Sequence, residues 1–327
     1  MSRAGRGRLN HLASMVRRDG IASTVRLVAG HRRERLEMAW RDRNDYHRPV
    51  LTMEPSNELL RDIVAARQPC MVSRLGAVEL RCVSHYLGHR GRHPRPYLSD
   101  VADMLRTNAG FFPTTDEALD RFASTYLDAV RSADVMCVWP GQWEKEVLRV
   151  YCPAATLIPL AAVEPFRQTE PWSAALADKK VLVIHPYAES ILENYRDRRD
   201  HLFAHPGTLP RFELDVLPAV QSSAGRQAEY ATWFDALAAM KASLESRTFD
   251  VCIIGAGAYG LPLAAHVKRL GKVAVHLGGA TQILFGIRGW RWDKDPIVSA
   301  LYNDYWTRPK ASETPQSHKT VEDGCYW

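Results

Sequence analysis

Seven short, nearly continuous apolar runs punctuate the chain, at residues 70–76, 133–140, 156–163, 180–186, 212–220, 249–257 and 272–279. Between them apolar residues recur at helical spacing over 56–67, 77–88, 99–109, 115–131, 142–150, 188–199, 226–247 and 259–270. Strands that are apolar on both faces and alternate with amphipathic helices predict a parallel sheet covered on both sides. The expected fold class is α/β, a doubly wound, mostly parallel Rossmann-like sheet. After Trp292 the periodicity dissolves into a segment rich in Pro and polar residues that keeps large aromatics, Tyr302, Trp306 and Trp327 among them. These aromatics predict a tail laid against the domain. The expected organisation is a basic helical arm (1–48), an α/β domain (49–292) and a packed tail (293–327).

Composition then locates the charge. Of 327 residues 24% are charged, with a net of +6. Residues 1–50 hold twelve Arg, no Lys and five acids, a balance of +7, which leaves −1 for the rest. The domain is electrically neutral and the basic character belongs to the arm. Loose helical spacing at Leu12, Met15, Val16, Val25, Leu27, Val28, Leu36 and Trp40 predicts two helices broken near Gly20 and Gly30. Such a segment suits an anionic membrane surface; a solvated helical extension is the alternative, and no nucleic-acid partner is expected. The six cysteines never approach a CxxC spacing, and most sit in or beside apolar runs, which fits buried reduced thiols. No apolar stretch approaches the ~20 residues of a membrane span, and no secretory h-region is visible. A cytoplasmic location, peripheral at the inner membrane face, is expected.

Residues 249–260 read FDVCIIGAGAYG, a strand running into Gly255-x-Gly257-x-x-Gly260 and a helix. Glycines here allow a tight turn and close approach to a phosphate, which the helix N-terminus favours. A dinucleotide site also needs an acid ending the next strand. That strand ends in His276, Leu277, Gly278 and Gly279, so no NAD is expected. Close strand-to-helix packing is the plainer use of the same glycines.

Ligands of open α/β sheets gather at the carboxyl ends of strands. Those ends carry Arg74, Gly76 and Glu79; His185, Tyr187, Glu189 and Ser190; Gln221; and Gly278, Gly279 and Gln282. Arg74 is suited to a diphosphate, and Glu79 to base, ribose or metal duty. No Ser-His-Asp order, HExxH or P-loop motif is present, which argues against a hydrolase triad, a zincin or a P-loop enzyme.

The segment Ser73-Arg74-Leu75-Gly76-Ala77-Val78-Glu79-Leu80 resembles the arginine–x–glycine–aspartate–x–glutamate signature of the GT-D-fold glycosyltransferases. The block 249–292 and the ending YNDYW…PQSHKTVEDGCYW are similar to the GT-D-like proteins of bacterial surface-polysaccharide biosynthesis. The resemblance covers roughly 55–327. It implies sugar transfer from a nucleotide-sugar donor to a glycan or lipid-linked acceptor. Phosphate-binding positions would then be Arg74, Gly76, Gly255, Gly257 and Gly260, with Tyr187, Ser190, Gln221, Tyr259, Gly278, Gly279 and Gln282 around the donor. Glu79, His185 and Glu189 are the catalytic candidates. The chain departs from the signature at Ala77, where the family has the Asp of its DxE metal motif; Glu79 alone remains for Mg²⁺ or Mn²⁺. Without metal, Arg74 and the helix N-termini near 188 and 258 would neutralise the diphosphate. Two other classes stay open: a catalytically degenerate GT-D-like protein that binds nucleotide or glycan and serves in assembly, and an NAD(P)-linked oxidoreductase built on the glycine motif.

Overall fold

Each of the seven apolar runs is a strand in the computed structural model, which describes residues 46–89, 96–141, 143–222, 229–321 and 324–327. They are β1 (Cys70–Arg74), β2 (Val135–Val138), β3 (Thr156–Pro159), β4 (Lys180–His185), β5 (Glu213–Pro218), β6 (Val251–Ile254) and β7 (Val273–Val275). All pair in parallel in the order β3-β2-β1-β7-β6-β4-β5. Among the described residues the helices are α1 (Met53–Ala66), α2 (Ala77–His89), α3 (Ser99–Ala109), α4 (Asp116–Val130), α5 (Glu144–Tyr151), α6 (Ala188–Leu202), α7 (Trp233–Glu245), α8 (Gly260–Arg269), α9 (Ala280–Leu284) and α10 (Pro296–Ser299).

The sheet divides the core into two layers, because successive strand residues face opposite sides. Met71, Leu182, Cys252 and Ala274 pack against α2, α4, α7 and α8, whereas Val72, Val183, Ile253 and Val275 pack against α1, α6 and α9. Both faces are buried, which is why these strands lack the alternating pattern of a half-exposed sheet. Trp233 anchors the first layer. It is fully buried, stacks on Tyr259 with centroids 4.9 Å apart, and meets Phe122 edge-on at 5.3 Å and Phe111 at 5.4 Å.

The helix expected over 226–247 starts only at Trp233. Thr232 caps it, its hydroxyl accepting from the Asp235 N–H while Asp235 accepts from the Thr232 N–H. This reciprocal pair sets the start more sharply than apolar spacing could. The basic arm lies outside the described residues up to Asp45. Residues from Tyr46 onward belong with the body: Tyr46–Trp327 form one compact unit, and the Leu51 N–H donates to the Leu157 carbonyl at 2.9 Å. Residues 293–327 are part of that unit too, with Trp306, Val321 and Trp327 buried. All six cysteines are free thiols; burial raises Cys252 well above its ordinary range. No helix among the described residues is long and apolar enough to cross a membrane.

Removing the Trp233 indole should lower stability by about 3–5 kcal/mol, as for other fully buried aromatic truncations. Urea unfolding of Trp233→Ala should show a lower midpoint at an unchanged m-value.

Candidate functional site

The chain leaves β1 and β6 into α2 and α8 on one face, and β4 and β7 into α6 and α9 on the other. Divergent exits open a crevice at the carboxyl edge of a parallel sheet. A cavity of ≈ 220 Å³ lies there.

Close backbone packing shapes it. A Cβ on Gly255 would come within 2.6 Å of the Gly278 carbonyl oxygen and 2.7 Å of the His185 ring. A Cβ on Gly260 would reach 2.3 Å from His276 Nε2, and Gly257 holds φ +51°. The Gly255-x-Gly257-x-x-Gly260 motif thus lets the β6–α8 turn press against the β7–α9 turn. Gly255 and Gly257 line the cavity, while Gly260 is spent on the His276 contact.

Arg74, at the end of β1, projects its guanidinium against the second turn. A Cβ on Gly278 would lie 3.1 Å from Arg74 Nη1. Arg74 lines the cavity, half-buried, and among the described residues it has neither a hydrogen-bond acceptor nor a carboxylate partner. Arg291 lines the same space and donates to the Tyr326 hydroxyl at 3.0 Å. Glu79 is the one carboxylate among the described lining residues. It folds back over the start of α2, where a Cβ on Gly76 would fall 1.9 Å from its Oε2. The Gly76 N–H donates to the Tyr126 hydroxyl at 2.9 Å, so α4 fixes this turn from behind.

The two cavity histidines are neutral. Burial pushes His185 down to about 3. Burial, aided by the Arg74 charge, takes His276 to about 3. The His185 Nδ1 accepts the Tyr187 N–H at 3.0 Å, which places its proton on Nε2. This corrects the expectation that His185 is a base: with Nδ1 engaged and Nε2 protonated, it can only donate. The His276 Nδ1 is bonded to Ser73 Oγ at 3.0 Å.

Tyr187, Gln221, Gly76, Gly278, Gly279 and Gln282 also line the cavity as expected. Four expected residues do not. Glu189 is exposed on α6 and pairs with Lys310 at 3.6 Å; Tyr259 is buried in the Trp233 stack, with its hydroxyl 3.4 Å from Ser222 Oγ; Gly260 packs on His276. Ser190 is buried and turned to the tail, donating its hydroxyl to Glu313. That contact overturns the phosphate role expected for the α6 N-terminus, because the Glu313 carboxylate already sits there, accepting the Glu189 N–H at 2.7 Å and the Ser190 N–H at 3.3 Å. Lining residues that sequence reasoning missed include Asn108, Tyr126, Arg291, Tyr326 and Trp327. They come from helices and from the chain after α9, whereas Pro186 and His276, which also line the cavity, directly follow β4 and β7.

Among the described residues no cluster of three or more His, Cys, Asp or Glu is placed to hold a metal ion. Glu79 offers one carboxylate, short of a protein-built Mg²⁺ or Mn²⁺ cage; it would hold such an ion only together with substrate phosphates.

A second buried carboxyl stands beside the site. Glu144, fully buried at the start of α5, accepts from the Tyr46 hydroxyl at 2.6 Å and the Trp139 N–H at 3.2 Å. The Trp139 indole in turn donates to the Leu75 carbonyl at 2.9 Å, tying the β2 exit to the turn that carries Arg74 and Glu79. Desolvation raises Glu144 to about 7, against those hydrogen bonds.

No family model matches the chain, and comparison with curated proteins and with solved structures finds no match.

Glu144 should write its protonation into stability. The folded protein keeps a proton that the unfolded chain releases above its ordinary 4.5. The resulting stabilisation is complete below about pH 4.5 and is lost as pH rises through about 7, at up to ~1.4 kcal/mol per pH unit. Urea titrations at stepped pH should show this fall in the parent and a flatter profile in Glu144→Gln, which keeps an acceptor for Tyr46 and Trp139.

Proposed function

We propose that the cavity binds the diphosphate of a nucleotide-sugar and that the protein transfers the sugar to a glycan or lipid-linked acceptor, as a GT-D-like glycosyltransferase. One observation carries the reading: the half-buried Arg74 guanidinium lines the cavity and makes no hydrogen bond or ion pair with a described residue. A partly desolvated cation that folding leaves unpaired is held ready for an anionic ligand, and guanidinium matches phosphate oxygens bidentately. Arg291 adds a second positive charge at the same cavity. Gly255, Gly257 and Gly278 line the cavity with backbone, and Gln221 and Gln282 offer amide groups.

In this reading the acceptor hydroxyl attacks the anomeric carbon as the sugar–phosphate bond breaks. The leaving nucleoside diphosphate takes the bond's electron pair, and Arg74, Arg291 and the His185 Nε2–H stabilise its charge. Glu79 accepts the acceptor's proton, because the cavity histidines are neutral non-bases and Glu189 lies elsewhere. No step passes through a metal.

The assembly-protein reading keeps one supporting observation, Ala77 at the position of the signature Asp. It shares the nucleotide site and differs only in turnover. An oxidoreductase reading gains nothing from the site: the turn that should carry a ribose-binding acid presents Gly278 to Arg74 instead.

A thermal-shift panel of UDP-, GDP-, CMP- and dTDP-sugars, with and without Mn²⁺, should show stabilisation by one nucleotide class that does not require the metal. Arg74→Ala should weaken that ligand by roughly 10- to 100-fold, the worth of a charge-assisted hydrogen bond. An unchanged affinity in Arg74→Ala would overturn the phosphate assignment.

A further inference from the structure

Three helices of the first core layer, α2, α3 and α4, supply one wall of the cavity. Its polar side chains are Glu79, Asn108 and Tyr126, and no arginine or lysine joins them from these helices. The wall meets the phosphate edge at two glycines. The Gly76 N–H donates to Tyr126 Oη at 2.9 Å, and a Cβ on the same glycine would strike the Glu79 carboxylate. A Cβ on Gly257 would lie 3.1 Å from the Ala109 carbonyl oxygen, one residue beyond Asn108.

Two donors on this wall are unspent. Tyr126 is buried, and its oxygen accepts from Gly76. The phenol's own proton has no acceptor among the described residues. Burial, with the Glu79 charge adding to it, pushes Tyr126 far above its ordinary range, so the hydroxyl remains a donor. A buried O–H left unmatched is costly, and a ligand oxygen removes that cost. Asn108 is half-buried, and its side-chain carbonyl accepts from the Thr107 hydroxyl at 3.1 Å. Its amide nitrogen has no partner among the described residues. A carboxylate beside two neutral donors is a poor host for phosphate, because it repels an anion. The same set matches neighbouring hydroxyls, each of which donates and accepts.

We propose that this helical wall is the subsite for the transferred sugar, with Tyr126 and Asn108 as its specificity-determining residues, donating to hydroxyls of a hexose ring. The inference rests on the reading of the cavity as a nucleotide-sugar site and divides that site in two. The diphosphate lies at the Arg74 edge and the sugar against α2, α3 and α4. Glu79 then stands beside the sugar whose transfer it assists as base. A sugar that lacks the matched hydroxyl leaves the Tyr126 donor unpaired, which is how a buried polar group rejects a deoxy analogue.

Calorimetric titration of the full chain uses inorganic pyrophosphate, the nucleoside diphosphates UDP, GDP and dTDP, and the conjugates UDP-glucose, GDP-mannose and dTDP-glucose. The parent should bind one conjugate more tightly than its own nucleoside diphosphate. Tyr126→Phe and Asn108→Ala should each weaken that conjugate by up to about tenfold, the worth of one hydrogen bond, and leave pyrophosphate and the nucleoside diphosphate within about twofold. Arg74→Ala should weaken all three. If Tyr126→Phe weakens pyrophosphate too, the Gly76 turn has moved and Asn108→Ala decides. Conjugate affinity unchanged in Asn108→Ala, or no preference for any conjugate over its nucleoside diphosphate in the parent, overturns the sugar subsite and leaves the phosphate assignment standing. If no nucleotide binds, the donor reading falls, and glucose and mannose titrated alone read the wall. Sugar binding that weakens in Asn108→Ala then keeps the subsite, and no sugar binding to the parent overturns it as well.

Discussion

Two chain reversals at the carboxyl edge touch backbone to backbone, and the site exists because glycine stands where they meet. Any side chain at Gly255 would strike the Gly278 carbonyl, His185 and Thr281 together. One at Gly260 would drive into His276. With these contacts made, β6 and β7 end at the same level, Arg74 of the neighbouring β1 lies flat against Gly278, and the histidines are sealed away from water. Sealing matters chemically, because it is desolvation that holds both imidazoles neutral beside a guanidinium. Packing and electrostatics at this edge are therefore one constraint.

Electrostatic choices around the edge divide cleanly. Carboxylates that could neutralise Arg74 are engaged elsewhere: Glu164 with Arg167, Asp295 with the same arginine, and Glu144 with Tyr46 and Trp139. Burial raises Glu164 as well as Glu144, with the Arg167 contact opposing it at Glu164. Glu313 spends its charge on the start of α6. Arg74 therefore brings an unpaired guanidinium to the cavity of a domain whose overall charge is close to zero, so the local arrangement, rather than the net charge, speaks for an anionic ligand.

Most of the scaffold was legible in the chain because parallel strands buried on both faces must be apolar throughout, and all seven runs were. Residues at the strand ends were legible for a topological reason: in a parallel sheet every carboxyl end arrives at one edge. That logic found Arg74, Glu79, His185, Gln221 and the glycines at 255, 257 and 278. It failed one step beyond the strand ends, where helical phase decides direction. Ser190 and Glu189 follow His185 closely, yet one turns under the tail and the other to solvent. Tyr259 sits inside the glycine motif but belongs to the Trp233 stack. Contacts between distant segments left no local mark at all: nothing near Glu313 announces that it will cap α6, and nothing near Tyr126 that it will hold Gly76. The motif that most resembled a cofactor fingerprint proved in part a packing device, since the same absence of Cβ serves both purposes.

Ala77 and the unpaired Arg74 are two aspects of one design. A carboxylate at 77 would share a turn with Arg74 and line the same cavity, giving the guanidinium a partner and cancelling much of its pull on a diphosphate. In a metal-using site that loss is repaired, because the cation bridges carboxylates and phosphate. Where the second carboxylate is missing, as here, the bridge loses an anchor but the arginine keeps its charge for the ligand. In the proposed reading, Ala77 thus shifts diphosphate recognition toward the guanidinium. On the same reading Glu79 is the carboxylate left to take the acceptor's proton, while Arg74 meets the phosphate charge.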